Sequence, residues 1–226
     1  MNVEGIIFDK DGTLFDFSAT WTAPFLVLLE ELASGEMHAK AAEVLGFDVG
    51  AGRFRADSLV IASTTGEVAW ALAPVLSREP IEIIETLNRI GQTARQVPAV
   101  DLHPVLSALQ VHGPLGLVTN DSEAPARAHL SQAGVLDLFD FIAGYDSGFG
   151  AKPEPGQLLG FAEALGVRPD ATLMVGDSRH DLAAARAAGM VPVGVLTGVA
   201  GEADLADLAA VVLPDIGALG AWIARV

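Results

Sequence analysis

ATLMVGDSRHDLAAARAAGMVPVGV, residues 171–195, decides the fold. Ala171–Val175 is a β-rich run, and Gly176-Asp177-Ser178 breaks it. Arg179 to Ala188 follows with helical character and stops at Gly189, before a second β-rich run at Val191–Val195. Strand, ten-residue helix, strand is a βαβ unit, which requires a parallel sheet covered on both faces. The same alternation extends outward, with further strands predicted at Val3–Phe8, Pro114–Thr119, Phe139–Ala143 and Ala209–Leu213. A helix over Ser122–Ala133 carries Pro125 in its first turn and ends at Gly134. Another, Gln157–Leu165, puts Leu158, Phe161, Ala162 and Leu165 on one face and ends at Gly166. The expected class is α/β, a Rossmann-like, doubly wound parallel sheet.

One stretch interrupts the pattern. Between Asp16 and Arg95 no strand pair is legible, and helices are predicted over Thr20–Ala33, Met37–Leu45, Thr65–Leu76 and Ile81–Ala94. Breaks at Ser34-Gly35, Gly46 to Gly52 and Pro80 separate them. The expected organisation is an α/β core from residues 1–15 and 96–226, with an all-helical insertion over 16–95.

Composition narrows the function. The 226 residues include 13 Lys+Arg against 29 Asp+Glu, a net charge of −16, while 51% are apolar. Such a chain can bury a sizeable core, and its charge makes nucleic acid a poor partner. The absence of cysteine excludes a disulfide scaffold, a thiolate zinc site and a cysteine nucleophile. A strand-like start at Val3 argues against a leader. Apolar stretches such as Phe25–Leu29 and Trp70–Leu76 fall short of the ~20 residues a spanning helix needs. The expectation is a cytoplasmic protein without a membrane or nucleic-acid partner.

Four short motifs lie at the ends of predicted strands, where open α/β sheets bind ligands. The first, Phe8-Asp9-Lys10-Asp11-Gly12-Thr13-Leu14, can turn two carboxylates to one side. Its glycine permits a sharp turn that exposes backbone N–H groups. The second, Thr119-Asn120-Asp121, joins a hydroxyl and an amide to a helix start. The third is Lys152, fixed by Pro153 and Pro155, and the fourth is Gly176-Asp177-Ser178 with Asp181 one turn on. Each alone has an ordinary explanation: an exposed loop, an N-cap, a solvated lysine, a helix-dipole carboxylate. Together, four carboxylates, a lysine and a hydroxyl at successive strand ends suit Mg²⁺ and phosphoryl transfer.

In their order and spacing these residues resemble the haloacid dehalogenase superfamily of phosphohydrolases, most of all its phosphoglycolate-phosphatase-like members. Asp9-Lys10-Asp11-Gly12-Thr13 is similar to the first family motif, Thr119-Asn120 to the second, Lys152-Pro153 to the third, and Gly176-Asp177-Ser178 with Asp181 to the fourth. The helical insertion resembles the cap of many members. The resemblance implies that Asp9 attacks phosphorus and that Asp11 exchanges protons with the leaving group and with water. It implies Mg²⁺ on Asp9, the Asp11 carbonyl and Asp177, phosphoryl oxygens on Thr119, Asn120 and Lys152, and Asp181 orienting Lys152 or a metal-bound water. Gly12, Thr13 and Ser178 support these groups. Acting first as an acid, Asp11 is expected to have its carboxyl raised by Asp9 and partial burial.

The implied activity is a Mg²⁺-dependent phosphatase hydrolysing a small phosphorylated metabolite, phosphoglycolate or similar, through an aspartyl-phosphate. A sugar-phosphate mutase shares all four motifs, and a non-catalytic phosphometabolite-binding protein is a third reading. A dehalogenase is disfavoured by Asp11. In the insertion, Arg53 and Arg55 are candidate partners for a substrate carboxylate. The alternative is a surface ion pair with Asp48 or Asp57. Lys10 supports no conclusion, the five histidines show no metal-ligand spacing, and Trp21, Trp70 and Trp222 are expected to be packing residues. Cap movement is expected about linkers near Asp16 and Arg95.

Overall fold

The computed structural model describes residues 2–55, 58–61 and 63–226. Strand β1 (Gly5–Phe8) leads into α1 (Phe17–Leu32), α2 (Glu36–Leu45), the two-residue strands β2 (Phe47–Asp48) and β3 (Arg53–Phe54), α3 (Thr65–Leu76) and α4 (Pro80–Thr93). The chain continues through α5 (Leu102–Leu109), β4 (Leu115–Val118), α6 (Glu123–Gln132), β5 (Phe141–Ala143) and α7 (Gly156–Leu165). It ends with β6 (Thr172–Gly176), α8 (Arg179–Ala187), β7 (Val191–Val195), α9 (Glu202–Leu205), β8 (Val211–Leu213) and α10 (Leu219–Ile223).

Six strands form one parallel sheet in the order β5-β4-β1-β6-β7-β8, and they coincide with the six predicted from sequence. β1 lies inside it, with Ile6 beside Leu115 and Leu173, and Phe8 beside Leu117 and Val175. All of β1 is buried, as a continuous apolar strand in a parallel sheet should be. Ile6 and Phe8 join the leucines of α5 and α10 on one face, while Ile7 meets Phe161 of α7 and Ala185 of α8 on the other. Truncating Phe8 to alanine would cost about 3–5 kcal/mol. From β1 the strand order runs outward in both directions, so a crevice opens at its carboxyl end, where Asp9 emerges.

The insertion has its own apolar cluster, in which Phe25, Leu28 and Leu29 of α1 meet Leu45 of α2, Leu72 of α3 and Ile83 of α4. The chain enters and leaves this layer through a paired crossing. The Asp16 N–H donates to the Val97 carbonyl at 2.8 Å, and the Ala99 N–H to the Leu14 carbonyl at 2.9 Å. The layer rests on α6, where Ser122 Oγ donates to Asn88 Oδ1 at 3.1 Å and Gln132 Nε2 to the Gln92 carbonyl at 3.1 Å.

The insertion is not purely helical, because β2 and β3 pair as an antiparallel ribbon with Phe47 opposite Phe54. Strands this short show no alternation in sequence. They are held by the Phe54 ring, which packs edge-on to Phe17, Phe25 and Phe47 at centroid distances of 5.1, 5.0 and 4.9 Å. Among the described residues no helix is long and apolar enough to cross a membrane.

Candidate active site

The first motif continues β1 by one step, since the Asp9 N–H donates to the Val175 carbonyl at 2.9 Å. The chain then tightens: the Leu14 and Phe15 N–H groups both donate to the Lys10 carbonyl, at 3.0 and 3.1 Å. Gly12 takes φ 83°, and a Cβ there would run into the Asp177 carboxylate. Only glycine lets this loop lie against the fourth motif. Thr13 Oγ1 donates to Asp177 Oδ1 at 3.2 Å, and Thr197 Oγ1 donates to the Gly12 carbonyl at 2.6 Å.

Lys152 occupies the middle. Its Nζ lies 2.5 Å from Asp9 Oδ1, 2.7 Å from Asp181 Oδ1 and 3.1 Å from the Val118 carbonyl. Asn120 grips the Lys152 backbone, its amide donating to the carbonyl and accepting from the N–H, both at 2.9 Å. Thr119 Oγ1 accepts from the Asp121 N–H at 3.1 Å. Asp181 caps α8: Ser178 N–H and Oγ both donate to its Oδ2, at 3.0 and 2.7 Å. That cap leaves Asp181 Oδ1 facing Lys152.

Asp9, Lys152, Asp177 and Asp181 are all buried, and ligand oxygens of the three carboxylates lie within 4.8 Å of one another. Burial pushes Asp9 up to about 7; Asp181 and Asp11 add to this, and Lys152 opposes it. Burial, with Asp9 and Asp181 behind it, also holds Asp177 well above the usual carboxylate range. Burial works against the charge of Lys152, but Asp181 and Asp9 outweigh it and hold the ammonium protonated. One lysine leaves this set short of positive charge, and all the donors are hard oxygens. The residues therefore fit a divalent cation such as Mg²⁺.

Asp11 departs from expectation, because its carboxyl is lowered rather than raised. Burial does act upward, but the Lys10 ammonium 2.5 Å from Oδ2 and the Trp21 indole N–H donating to Oδ1 at 2.6 Å prevail. The neighbour that decides is Lys10, not Asp9. Lys10 is fully buried, 3.0 Å from Asp121 Oδ2, 3.2 Å from His129 Nδ1 and 5.2 Å from the Trp21 ring centroid. His129 Nε2 lies 2.7 Å from the Gly91 carbonyl, so the network assigns the ring proton to Nε2. Burial, and then Lys10, lowers His129 to about 4.

Trp21, expected only to pack, is thus a donor to the site. Sequence reasoning missed Lys10, Trp21 and His129 as a group because no spacing rule links a strand exit, an inserted helix and α6.

The cleft between sheet and insertion is walled by Phe17, Trp21, Phe25, Val68 and Leu87 above the catalytic motifs. Ser63, Asn88 and His180 add polar groups. Neither Arg53 nor Arg55 lines it among the described residues. Arg53 is exposed, and Arg55 Nη1 donates to Glu43 Oε2 at 2.9 Å on the surface. Asp57 lies outside the described residues.

A doubly wound sheet with acidic, lysine and hydroxyl groups at its central switch point places a ligand site at the carboxyl end of β1. The model of the haloacid dehalogenase-like hydrolases matches residues 3–189, and the chain belongs to that family. A phosphoglycolate phosphatase of Neisseria gonorrhoeae is 34% identical over 222 residues, covering 96% of this chain and 91% of that one. The phosphoglycolate phosphatase of Escherichia coli K12 is 32% identical over 209 residues, covering 87% and 82%. The β-phosphoglucomutase structure from Clostridium difficile shares the fold with a TM-score of 0.68 at 18% identity, covering 99% and 96%. Within the family, this enzyme stands with the phosphatases.

Proposed function

We propose that the enzyme is a Mg²⁺-dependent phosphatase of a small phosphomonoester, working through an aspartyl-phosphate on Asp9. The observation that carries this reading is the meeting of Asp9, Asp177 and Asp181 about Lys152 at the end of β1. Asp9, Asp177 and the Asp11 carbonyl would hold Mg²⁺, which when bound supplies positive charge against the phosphoryl oxygens.

An Asp9 oxygen attacks phosphorus, and the bond from phosphorus to the ester oxygen breaks. Asp11, held ionised by Lys10 and Trp21, takes up the proton that the ester monoanion brings and passes it to the leaving oxygen, which departs as the alcohol. Asp11, now ionised, removes a proton from water as that water attacks the aspartyl-phosphate. Inorganic phosphate leaves and the Asp9 carboxylate is restored. Lys152 and Thr119 face the phosphoryl oxygens, while Asn120 holds Lys152 in place. Asp181 keeps the lysine charged and directed. The insertion acts as a cap over residues 16–95, on a core of residues 1–15 and 96–226, excluding water during transfer.

Phosphoglycolate, named in the relatives' activity, is the first ester to test. Arg55 is the cap cation proposed for its carboxylate, exchanging Glu43 for substrate, with Arg53 beside it. The connection that follows Arg55 supports this, since its Val60, Ile61 and Ser63 line the cleft. Arg55→Ala should raise KM for carboxylated phosphoesters and leave uncharged esters alone; an unchanged KM for every carboxylated ester would remove Arg55 from the reading.

A further inference from the structure

Lys10 stands inside the first motif and is itself fully buried, with its ammonium on Asp11 and Asp121, two carboxylates that line the cleft, rather than in the cleft itself. Its Nζ meets Asp11 Oδ2, Asp121 Oδ2 and His129 Nδ1, while the Trp21 indole takes Asp11 Oδ1. These partners come from four places: the β1 exit, the approach to α6, the last turn of α6 and the first helix of the cap. His129 in turn reaches the Gly91 carbonyl of α4, and the Gly91 Cα lies under the Trp21 ring, where a Cβ would sit 3.6 Å from it. A buried lysine is costly unless it is paired, and here two carboxylates and a ring nitrogen lie within 3.2 Å of the ammonium.

We propose that Lys10 is the positioning residue for Asp11, working with Trp21 as a two-sided clamp. This rests on the reading of Asp11 as the proton-exchanging group. One carboxylate oxygen is fixed by a cation of the core and the other by a donor of the cap. Each oxygen still keeps a lone pair for the leaving group or water. The clamp is complete only with α1 docked, so the direction of Asp11 depends on the cap being seated. Aim matters here because a displacement of about 1 Å in a reacting group can cost ~10²-fold in rate.

The test is a burst experiment with 4-nitrophenyl phosphate and Mg²⁺. Nitrophenolate leaves without needing a proton, whereas hydrolysis of the aspartyl-phosphate needs Asp11 as base. Lys10→Met should retain a burst of about one equivalent at close to the wild-type rate, then turn over ~10²-fold more slowly. Trp21→Phe, which deletes only the N–H, should show the same split at ~10-fold. Since Lys10→Met strands Asp121 without its cation, Lys10→Met/Asp121→Asn provides a charge-balanced second variant. Burst and turnover slowing in equal proportion in these variants, or neither slowing, overturns the positioning role. Asp11→Asn is the control for the reading beneath it. If that variant shows no separation of burst from turnover, the acid–base assignment itself fails. If it separates the two and the Lys10 variants do not, only the inference fails.

Discussion

The side-chain amide of Asn120 closes a two-way hydrogen bond on the backbone of Lys152, 2.9 Å in each direction. Lys152 is thus set from behind by its main chain and from ahead by Asp9 and Asp181. Asn120→Ala should lower kcat/KM by about 10–10²-fold, as a displaced electrostatic group does. It should cost about 1–3 kcal/mol in stability from the unpaired backbone groups. Steady-state kinetics beside a denaturant melt separates the two effects.

Gly12→Ala should damage the site through geometry alone. A φ of 83° is strained for alanine, and the new Cβ would press on Asp177. The expected result is a stability loss of about 1–3 kcal/mol together with weaker Mg²⁺ binding, both readable by calorimetry.

Protons and Mg²⁺ should compete for the same carboxylates. Asp9, raised to about 7, holds a proton below neutrality that a bound cation must displace, and burial with Asp9 and Asp181 shifts Asp177 in the same direction. Mg²⁺ affinity should therefore climb as pH rises from about 5.5 to 8, by up to ~10-fold per unit for each proton released. Titration calorimetry in two buffers of different ionisation enthalpy counts those protons. An affinity independent of pH would contradict the assignment.

His129 should leave its own acid-side signature in stability. Its folded pKa of about 4 lies below the unfolded value near 6.5, so the unfolded chain binds the extra proton between them. The contribution of neutral His129 is complete above about 6.5 and is lost as pH falls toward 4. His129→Gln should be less stable at pH 7 and should lose stability less steeply over that acid range, measured by melts at matched ionic strength.

The sheet was legible because its strands are apolar runs followed by a turn and a helix, and the helices after β4, β5 and β6 run to Gly134, Gly166 and Gly189. The motif residues were legible for the same reason: strand ends in such a sheet converge on one edge. The ribbon of Phe47–Asp48 and Arg53–Phe54 was not, since its pairing depends on a phenylalanine cluster gathered from distant positions. Helix α5 was also passed over, although Leu102, Leu106 and Leu109 lie on one buried face, because Pro104 in its first turn disguises it. The protonation of Asp11 was read in the wrong direction because the nearest carboxylate in sequence is visible and the Trp21 contact is not. Charge balance in a buried knot is set by what folding brings together.

The most direct test is phosphate release from a panel of phosphomonoesters, phosphoglycolate included, with Mg²⁺, with EDTA and with Asp9→Asn. Release that requires Mg²⁺ and falls at least ~10³-fold in Asp9→Asn is the predicted result, as expected for loss of a nucleophile. Release that persists in EDTA, or in Asp9→Asn at near wild-type rate, would contradict the proposed chemistry.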